Sequence, residues 1–215
     1  MFNFNCIILP QIDVPQKYQK TQDQLLQASE QNLVHVVSTL NDAIRRMAFS
    51  SVQFIRSSSG TMDKALDMSM INSLVEYFGL LHKTFTYEKK KFIEFAKVIN
   101  YNFENQRDTD ENDANSMRNI SNQLTEIQFK LMKEDFHSLA KSKHSIFLDM
   151  ARETVTMLEK VPDFKKSPVY NYFILSKASF LGFSGTERAH DRKKFIGMAK
   201  RIFKQRNPDR SKVNV

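Results

Sequence analysis

A long stretch without proline constrains the fold of this chain more than any other feature of its sequence. No proline occurs between Gln16 and Val161, and Gly60 and Gly79 are the only glycines in that interval. Because proline and glycine mark most turns, their scarcity predicts few turns and long uninterrupted elements. The interval is therefore expected to form a small number of long helices.

Apolar residues recur every seven positions in the first part of this interval, which is the spacing of one face of a helix. The row is Leu26, Leu33, Leu40, Met47 and Phe54, with Val37 and Ile44 beside it. It predicts one helix over about 17–56. The stretch "SSSGT" predicts a break, because serine and glycine disfavour helix continuation. Thr61 is a candidate N-cap for the next helix.

Two further rows predict a second and a third long helix. The second helix is expected over about 62–105, with Gly79 inside it as a kink or a point of close approach. Its row is Ile71, Phe78, Phe85, Phe92 and Ile99. After the acidic loop "NQRDTDENDAN", the third helix is expected over about 114–161. Its row begins as Met117, Ile120, Leu124, Ile127 and Leu131, then shifts to Phe129, Met132, Phe136, Leu139, Ile146, Met150 and Met157. This drift predicts a stutter or a bend.

The part after Pro162 predicts two shorter helices. Ser167 before Pro168 is a favourable helix start, and the first short helix is expected over about 168–181, stopping at Gly182. Ser184 and Glu187 have the spacing of a capping box for a last helix over about 185–206.

Together these elements predict an all-α chain built as an elongated antiparallel bundle of three long helices plus two short C-terminal helices. The expected organisation is an N-terminal segment (1–16), the long bundle (17–161) and a C-terminal helical extension (162–215). Helices of this length span about 60 Å at ~1.5 Å per residue, which exceeds the width of a compact globule of this size. Bundles with apolar rows this wide often leave a face for a partner, so we expect a homodimer.

The excess of positive charge is confined to the end of the sequence. Between Arg188 and Lys212 there are ten basic and two acidic residues, which equals the net charge of +8 of the whole chain. A neutral body with a basic tail is typical of a protein whose tail meets something anionic.

The segment "KKFIGMAKRIFKQR" within this tail predicts an amphipathic helix with an apolar face and a basic face. Three interpretations compete. The apolar face inserts into anionic lipid, the cations neutralise the phosphates of a nucleic acid, or the apolar face docks on the bundle and leaves the cations in water. The candidate binding residues are Arg192, Lys193, Lys194, Phe195, Ile196, Lys200, Arg201, Ile202, Phe203, Lys204 and Arg206.

The long helices resemble those of the BAR-domain superfamily, in particular the sorting-nexin type. The resemblance covers about residues 17–161 and is carried by "LMKEDFHSLAKSKHSIFLDMARETVTMLEKV" in the third helix and "LVEYFGLLHKTFTYEKKKF" in the second. It implies a crescent-shaped homodimer that contacts curved membranes through cations on one face. The positions that would supply these cations are Lys89, Lys90, Lys91, Lys97, Lys130, Lys133, Lys141 and Lys143.

No set of residues with catalytic or metal-binding spacing is found in the sequence. None of the five histidines pairs in a metal-binding frame, and Asp113 and Asn119 stand where a calcium loop needs glycine and glutamate. Cys6 has no partner for a disulfide, which fits a reducing compartment. We therefore expect neither an enzyme, nor a cofactor, nor a metal site.

These observations predict a cytoplasmic, peripheral membrane scaffold that binds anionic membranes. The runner-up is a nucleic-acid-binding protein, viral or otherwise, with a helical oligomerisation body and a basic tail. A helical adaptor that binds only other proteins is the third hypothesis.

Overall fold

The computed structural model describes residues 16–58, 66–105, 118–183 and 185–208. The fold is all-α, as the sequence predicts, and no strand occurs within these ranges. Two 3₁₀ turns, Lys83–Phe85 and Thr186–Arg188, each precede an α-helix. The α-helices are α1 (Gln16–Ser58), α2 (Met68–Tyr77), α3 (Thr86–Asn105), α4 (Arg118–Leu158), α5 (Ser167–Phe180) and α6 (Ala189–Arg206).

Helices α1, α4 and α5 lie close to their predicted positions. Helix α1 extends the predicted 17–56 by one residue at its start and two at its end. Helix α5 is followed by Gly182 with φ 69°, as expected for a left-handed residue that stops a helix. The predicted start of α4 at Ala114, the acidic loop and its Asp113, and the predicted cap Thr61 all lie outside the described residues.

The single second helix predicted over 62–105 is wrong, because the structure divides this region into α2 and α3. Gly79 has φ 73° and follows Phe78, the C-cap of α2. The amide of Gly79 donates to the carbonyl of Glu76, and the amide of Leu80 donates to the carbonyl of Val75. This Schellman arrangement satisfies carbonyls that the helix end would otherwise leave unpaired. The seven-residue row continues across the break, and for this reason the sequence pattern conceals it.

Helix α2 begins at an N-cap that the sequence analysis missed. The carboxylate of Asp67 accepts hydrogen bonds from the amides of Ser69 and Met70 at 2.8 and 3.4 Å. Aspartate at this position satisfies two of the amides that the first turn leaves free. The signal was present in the sequence as an acidic residue directly before an apolar helical stretch.

The chain divides into two compact units. One contains the start of the chain up to Val34 together with the part from His144 onward, and the other is His35–Lys143. The division therefore falls within α1 and within α4 rather than at Pro162.

The unit His35–Lys143 is built around a phenylalanine cluster. The ring centroids of Phe78 lie 5.8 Å from Phe92 and 5.5 Å from Phe129, and all three rings are buried. Nε2 of His137 lies 3.0 Å from the carbonyl oxygen of Phe78, where the tautomer with a proton on Nε2 donates a hydrogen bond. This contact ties the end of α2 to α4, because the C-cap carbonyl has no partner within its own helix.

Only part of the predicted apolar row of α4 is buried. Phe129 and Phe136 are buried, whereas Ile127 and Leu131, which the sequence places in the early part of the row, are exposed. Among the residues whose side chains are described, the buried row begins at Phe129, and Ile127 and Leu131 present apolar side chains to solvent.

An ion pair is buried between α3 and α4. Nζ of Lys143 lies 3.5 Å from Oε1 of Glu88, and the two side chains are only 4% and 6% exposed. The other carboxylate oxygen of Glu88 is buried and accepts no hydrogen bond. Removing one partner of such a pair leaves the other charge uncompensated in the interior, which is strongly unfavourable.

The substitution Lys143→Met is expected to lower the free energy of unfolding by about 3–5 kcal/mol, because Glu88 would stay buried without a counter-charge. Urea titration followed by circular dichroism measures the change. Lys90 is the matched control, since it forms an exposed i,i+4 pair with Glu94 at 3.9 Å. Lys90→Met should change stability by less than about 0.5 kcal/mol. An equal effect of the two substitutions would contradict the assigned role of the buried pair.

Substitution of glycine by alanine is expected to have opposite effects on stability at two positions. Gly79→Ala is expected to destabilise the protein by about 1–3 kcal/mol, because φ is positive and the new Cβ would lie 3.1 Å from Nε2 of His137. Gly197 lies inside α6, and nothing is found within 4 Å of a Cβ added there. Gly197→Ala should therefore stabilise the protein by about 0.5–1 kcal/mol. Thermal melting of both variants checks the difference in sign.

Candidate anion-binding surface of the C-terminal hairpin

Helices α5 and α6 form an antiparallel hairpin. Tyr170 near the start of α5 stacks on Phe203 near the end of α6, with ring centroids 4.7 Å apart. Phe183, in the turn between the helices, contacts Phe195 at 5.5 Å and Phe147 of α4 at 5.9 Å. The aromatic residues thus join the hairpin at both ends and attach it to α4.

Helix α6 begins later than the sequence predicts. The predicted start was Gly185, but the α-helix begins at Ala189 after a 3₁₀ turn, and its N-cap Arg188 makes no side-chain capping bond. Ser184 of the predicted capping box lies outside the described residues. Asp191 in the first turn and Lys204 and Arg206 in the last turn match the helix dipole, which favours anions at its start and cations at its end.

The apolar face of α6 is turned into its own unit. Phe195, Ala199, Ile202 and Phe203 are buried, and Ile196 is half-buried. This burial agrees with the interpretation in which the apolar face docks on the protein. Insertion of Phe195, Ile202 and Phe203 into a membrane would require α6 to separate from its neighbours.

Arg188, Lys194 and Arg206 help to attach the hairpin to the rest of its unit. Nη1 of Arg206 lies 3.2 Å from Oε2 of Glu159, and Nη1 of Arg188 lies 2.8 Å from Oε1 of Glu30. Nζ of Lys194 lies 5.3 Å from the ring centroid of Phe147, a cation–π contact. These cations are already engaged by the protein and are less available to an external anion.

Five cations of α6 remain available to an external anion. Lys193, Arg201 and Lys204 are exposed, and Arg192 and Lys200 are half-buried. None of the five forms an ion pair or a hydrogen bond with a residue in the described ranges. Lys193, Arg201 and Lys204 are separated by eight and three positions, which places them on one helical face over about 16 Å. We call Lys193, Arg201 and Lys204 the cation row.

Helix α5 carries exposed apolar residues whose exposure the sequence did not reveal. Tyr172, Leu175 and Phe180 are exposed, while Ile174, Ala178 and Leu181 are buried. The three aromatic residues Tyr170, Tyr172 and Phe173 lie close together in the sequence but differ in their surroundings. Tyr170 packs on Phe203, Phe173 is half-buried and Tyr172 faces solvent.

The lysines implied by the BAR resemblance are in varied surroundings. Lys89 is half-buried and Lys90 pairs with Glu94. Nζ of Lys91 donates to the side-chain oxygen of Asn41 at 3.0 Å and lies over the ring of Tyr87. Lys143 is corrected as a membrane contact, since it is buried against Glu88. Lys133 lies over the ring of Tyr77, whereas Lys97, Lys130 and Lys141 are exposed.

Neither a metal site nor a membrane-spanning helix is found in the part of the chain that the structure describes. Within it, no three His, Cys, Asp or Glu side chains come together as a metal site would need. Its helices also include none that is both long and apolar enough to cross a membrane.

Comparison with protein-family models, curated protein sequences and solved structures finds no match to this chain. The resemblance to BAR helices therefore stays a prediction.

Phe195→Ala is expected to lower the free energy of unfolding by about 3–5 kcal/mol in the absence of any ligand, because the ring is fully buried. The control is Phe180→Ala on the exposed face of α5, which should cost about 1 kcal/mol or less. Urea titration of both variants makes the comparison. Equal, small losses would show that α6 is not docked in solution.

Proposed function

We propose that this protein is a non-enzymatic, cytoplasmic, peripheral membrane protein that adsorbs to anionic lipid surfaces through α6. The observation that carries the proposal is the cation row, which is exposed and has no acidic partner among the described residues. Basic clusters on an amphipathic helix are typical of binding to anionic lipid headgroups. Because Phe195 and Phe203 are buried, the helix binds with its basic face while its apolar face stays in the protein.

The strength of such adsorption follows from the number of cations. Each Lys or Arg near an anionic membrane surface contributes ~1 kcal/mol, so the cation row contributes about 3 kcal/mol. An attraction of about 3 kcal/mol is weaker than binding with a millimolar dissociation constant, which corresponds to about 4 kcal/mol. The interaction is also screened by salt, with a Debye length of about 8 Å at physiological ionic strength.

Self-association would strengthen this adsorption and is the second part of the proposal. A homodimer presents two cation rows, and the second row binds at the high effective concentration set by the first. The predicted elongated bundle of BAR-like helices is a scaffold of this kind. The exposed Ile127 and Leu131 of α4 support it, because an exposed apolar face favours association.

Nucleic acid is the alternative anionic ligand to lipid, and its binding would use the same cation row. Cations that neutralise phosphates give affinities that fall steeply with salt, as they do on lipid. Salt dependence alone therefore does not separate the two ligands. The comparison must use vesicles and nucleic acid side by side.

The triple substitution Lys193→Gln/Arg201→Gln/Lys204→Gln is expected to weaken binding to phosphatidylserine–phosphatidylcholine vesicles roughly 100-fold at low salt, because it removes about 3 kcal/mol of attraction. Co-sedimentation with the vesicles measures the affinity, and pure phosphatidylcholine vesicles should bind neither protein.

The charge-matched control is Lys97→Gln/Lys130→Gln/Lys141→Gln, which removes three exposed cations from the unit His35–Lys143. This control should change the affinity by no more than roughly threefold. A loss as large as that of the α6 variant would assign binding to the lysines of the BAR-like region. Binding of the unmodified protein to single-stranded RNA or duplex DNA, without binding to anionic vesicles, would refute the proposed function.

A further inference from the structure

The cation row alone provides only weak attraction to a membrane. Electrostatic attraction by three cations gives transient adsorption, and peripheral proteins usually combine charge with buried apolar surface. The obvious apolar candidates, Phe195, Ile202 and Phe203, are buried within their own unit. Any apolar contact must therefore come from another part of the hairpin.

Helix α5 offers such a contact on its solvent side. Tyr172, Leu175 and Phe180 are exposed. At about 100° per residue, Leu175 lies about 60° to one side of Tyr172 around the helix and Phe180 about 80° to the other, so Tyr172 is at the centre of the exposed side. Ser176 and Ser179 are exposed between them. The buried face of the same helix is formed by Ile174, Ala178 and Leu181. The exposed apolar residues are thus additional to the residues that the fold needs.

The helix that presents these side chains is firmly attached. Nζ of Lys177 lies 2.6 Å from Oδ1 of Asp23 in α1, and the same ammonium group lies 5.0 Å from the ring centroid of Phe180. The ring of Phe180 is therefore held at one side by a cation that is itself fixed by an ion pair. A side chain held in this way loses little further entropy when it enters a second environment.

We propose that Tyr172, Leu175 and Phe180 are the residues that insert into the interfacial layer of an anionic bilayer, while the cation row of α6 contacts the lipid headgroups. This inference rests on the proposed function and assigns its apolar contact. The hairpin binds as a folded unit, and α6 does not detach. The two contributions lie on neighbouring helices rather than on the two faces of one helix.

Charge complementarity and chemistry identify lipid as the occupant of this face. The cations on the adjoining helix attract an anionic surface, which a neutral protein groove would not use. Leu175 has no ring to stack on a base, so a nucleic acid would leave it without a partner. Tyr172 combines an apolar ring with a polar hydroxyl, a combination that is enriched at membrane interfaces.

A single introduced tryptophan tests the inference directly, because the chain has no tryptophan of its own whose fluorescence would interfere. Tyr172→Trp places a fluorophore in the proposed inserting face. Tyr101→Trp is the matched control, since Tyr101 of α3 is 64% exposed and Tyr172 is 63% exposed. On phosphatidylserine–phosphatidylcholine vesicles, only the variant at position 172 should show a blue-shifted emission and quenching by acyl-chain-brominated lipid.

The possible results of this experiment distinguish a failure of the inserting face from a failure of the proposed membrane binding, on which this inference rests. Co-sedimentation with vesicles, without a spectral change at position 172, would overturn the inference and leave electrostatic adsorption intact. Absence of co-sedimentation would overturn both. Quenching of the same tryptophan by single-stranded RNA, with no response to lipid, would assign Tyr172 to base stacking instead.

A second set of variants guards against local misfolding. Phe180→Trp should repeat the fluorescence response, and unchanged circular dichroism should show that both reporter variants are folded. The triple variant Tyr172→Ser/Leu175→Ser/Phe180→Ser should lose at least about tenfold in vesicle affinity at high salt, where charge is screened. Its binding at low salt should fall less. An unaltered affinity at high salt would also overturn the inference.

Discussion

The burial of the apolar face of α6 is the contact on which the arrangement of the C-terminal hairpin depends. Phe195 meets Phe183 in the turn, and Phe203 stacks on Tyr170 of α5. Because this face is occupied, the helix has one possible orientation, and its exposed cations lie on the opposite side. The sequence pattern of this segment is that of a free amphipathic helix. In the folded protein the apolar face is packed, and only the basic face is exposed.

The sequence predicts much of the helical architecture because the signals for it are local. The seven-residue row of α1 and the glycine after α5 are visible without knowledge of any neighbour. The sequence marks Gly79 as a kink or a point of close approach, but the apolar spacing continues across it, so the end of α2 is evident only from the positive φ and the hydrogen bonds of Gly79 and Leu80. The ion pair of Lys143 with Glu88 joins residues far apart in sequence, so spacing along one helix carries no sign of it.

The candidate surface is also only partly predictable, because the sequence shows local patterns but not tertiary contacts. The concentration of cations in α6 follows from composition, and so does the existence of an apolar face. Which side of that helix faces solvent depends on tertiary packing, which a helical pattern does not contain. Helix α5 is the clearest case, because Tyr170 and Tyr172 are alike in sequence context and yet one is half-buried and stacked on Phe203, whereas the other is exposed.

The attachment of the hairpin also sets the order in which the protein can be completed during synthesis. Lys177 pairs with Asp23 across 154 positions, and Arg188 pairs with Glu30 across 158. Chains fold from the N-terminus as they emerge, so residues 35–143 can pack before α5 and α6 exist. The early part of α1 must wait for partners made more than a hundred residues later. The surface with the basic helix therefore assembles after residues 35–143, and the apolar face of α6 becomes covered only once α6 itself has been made.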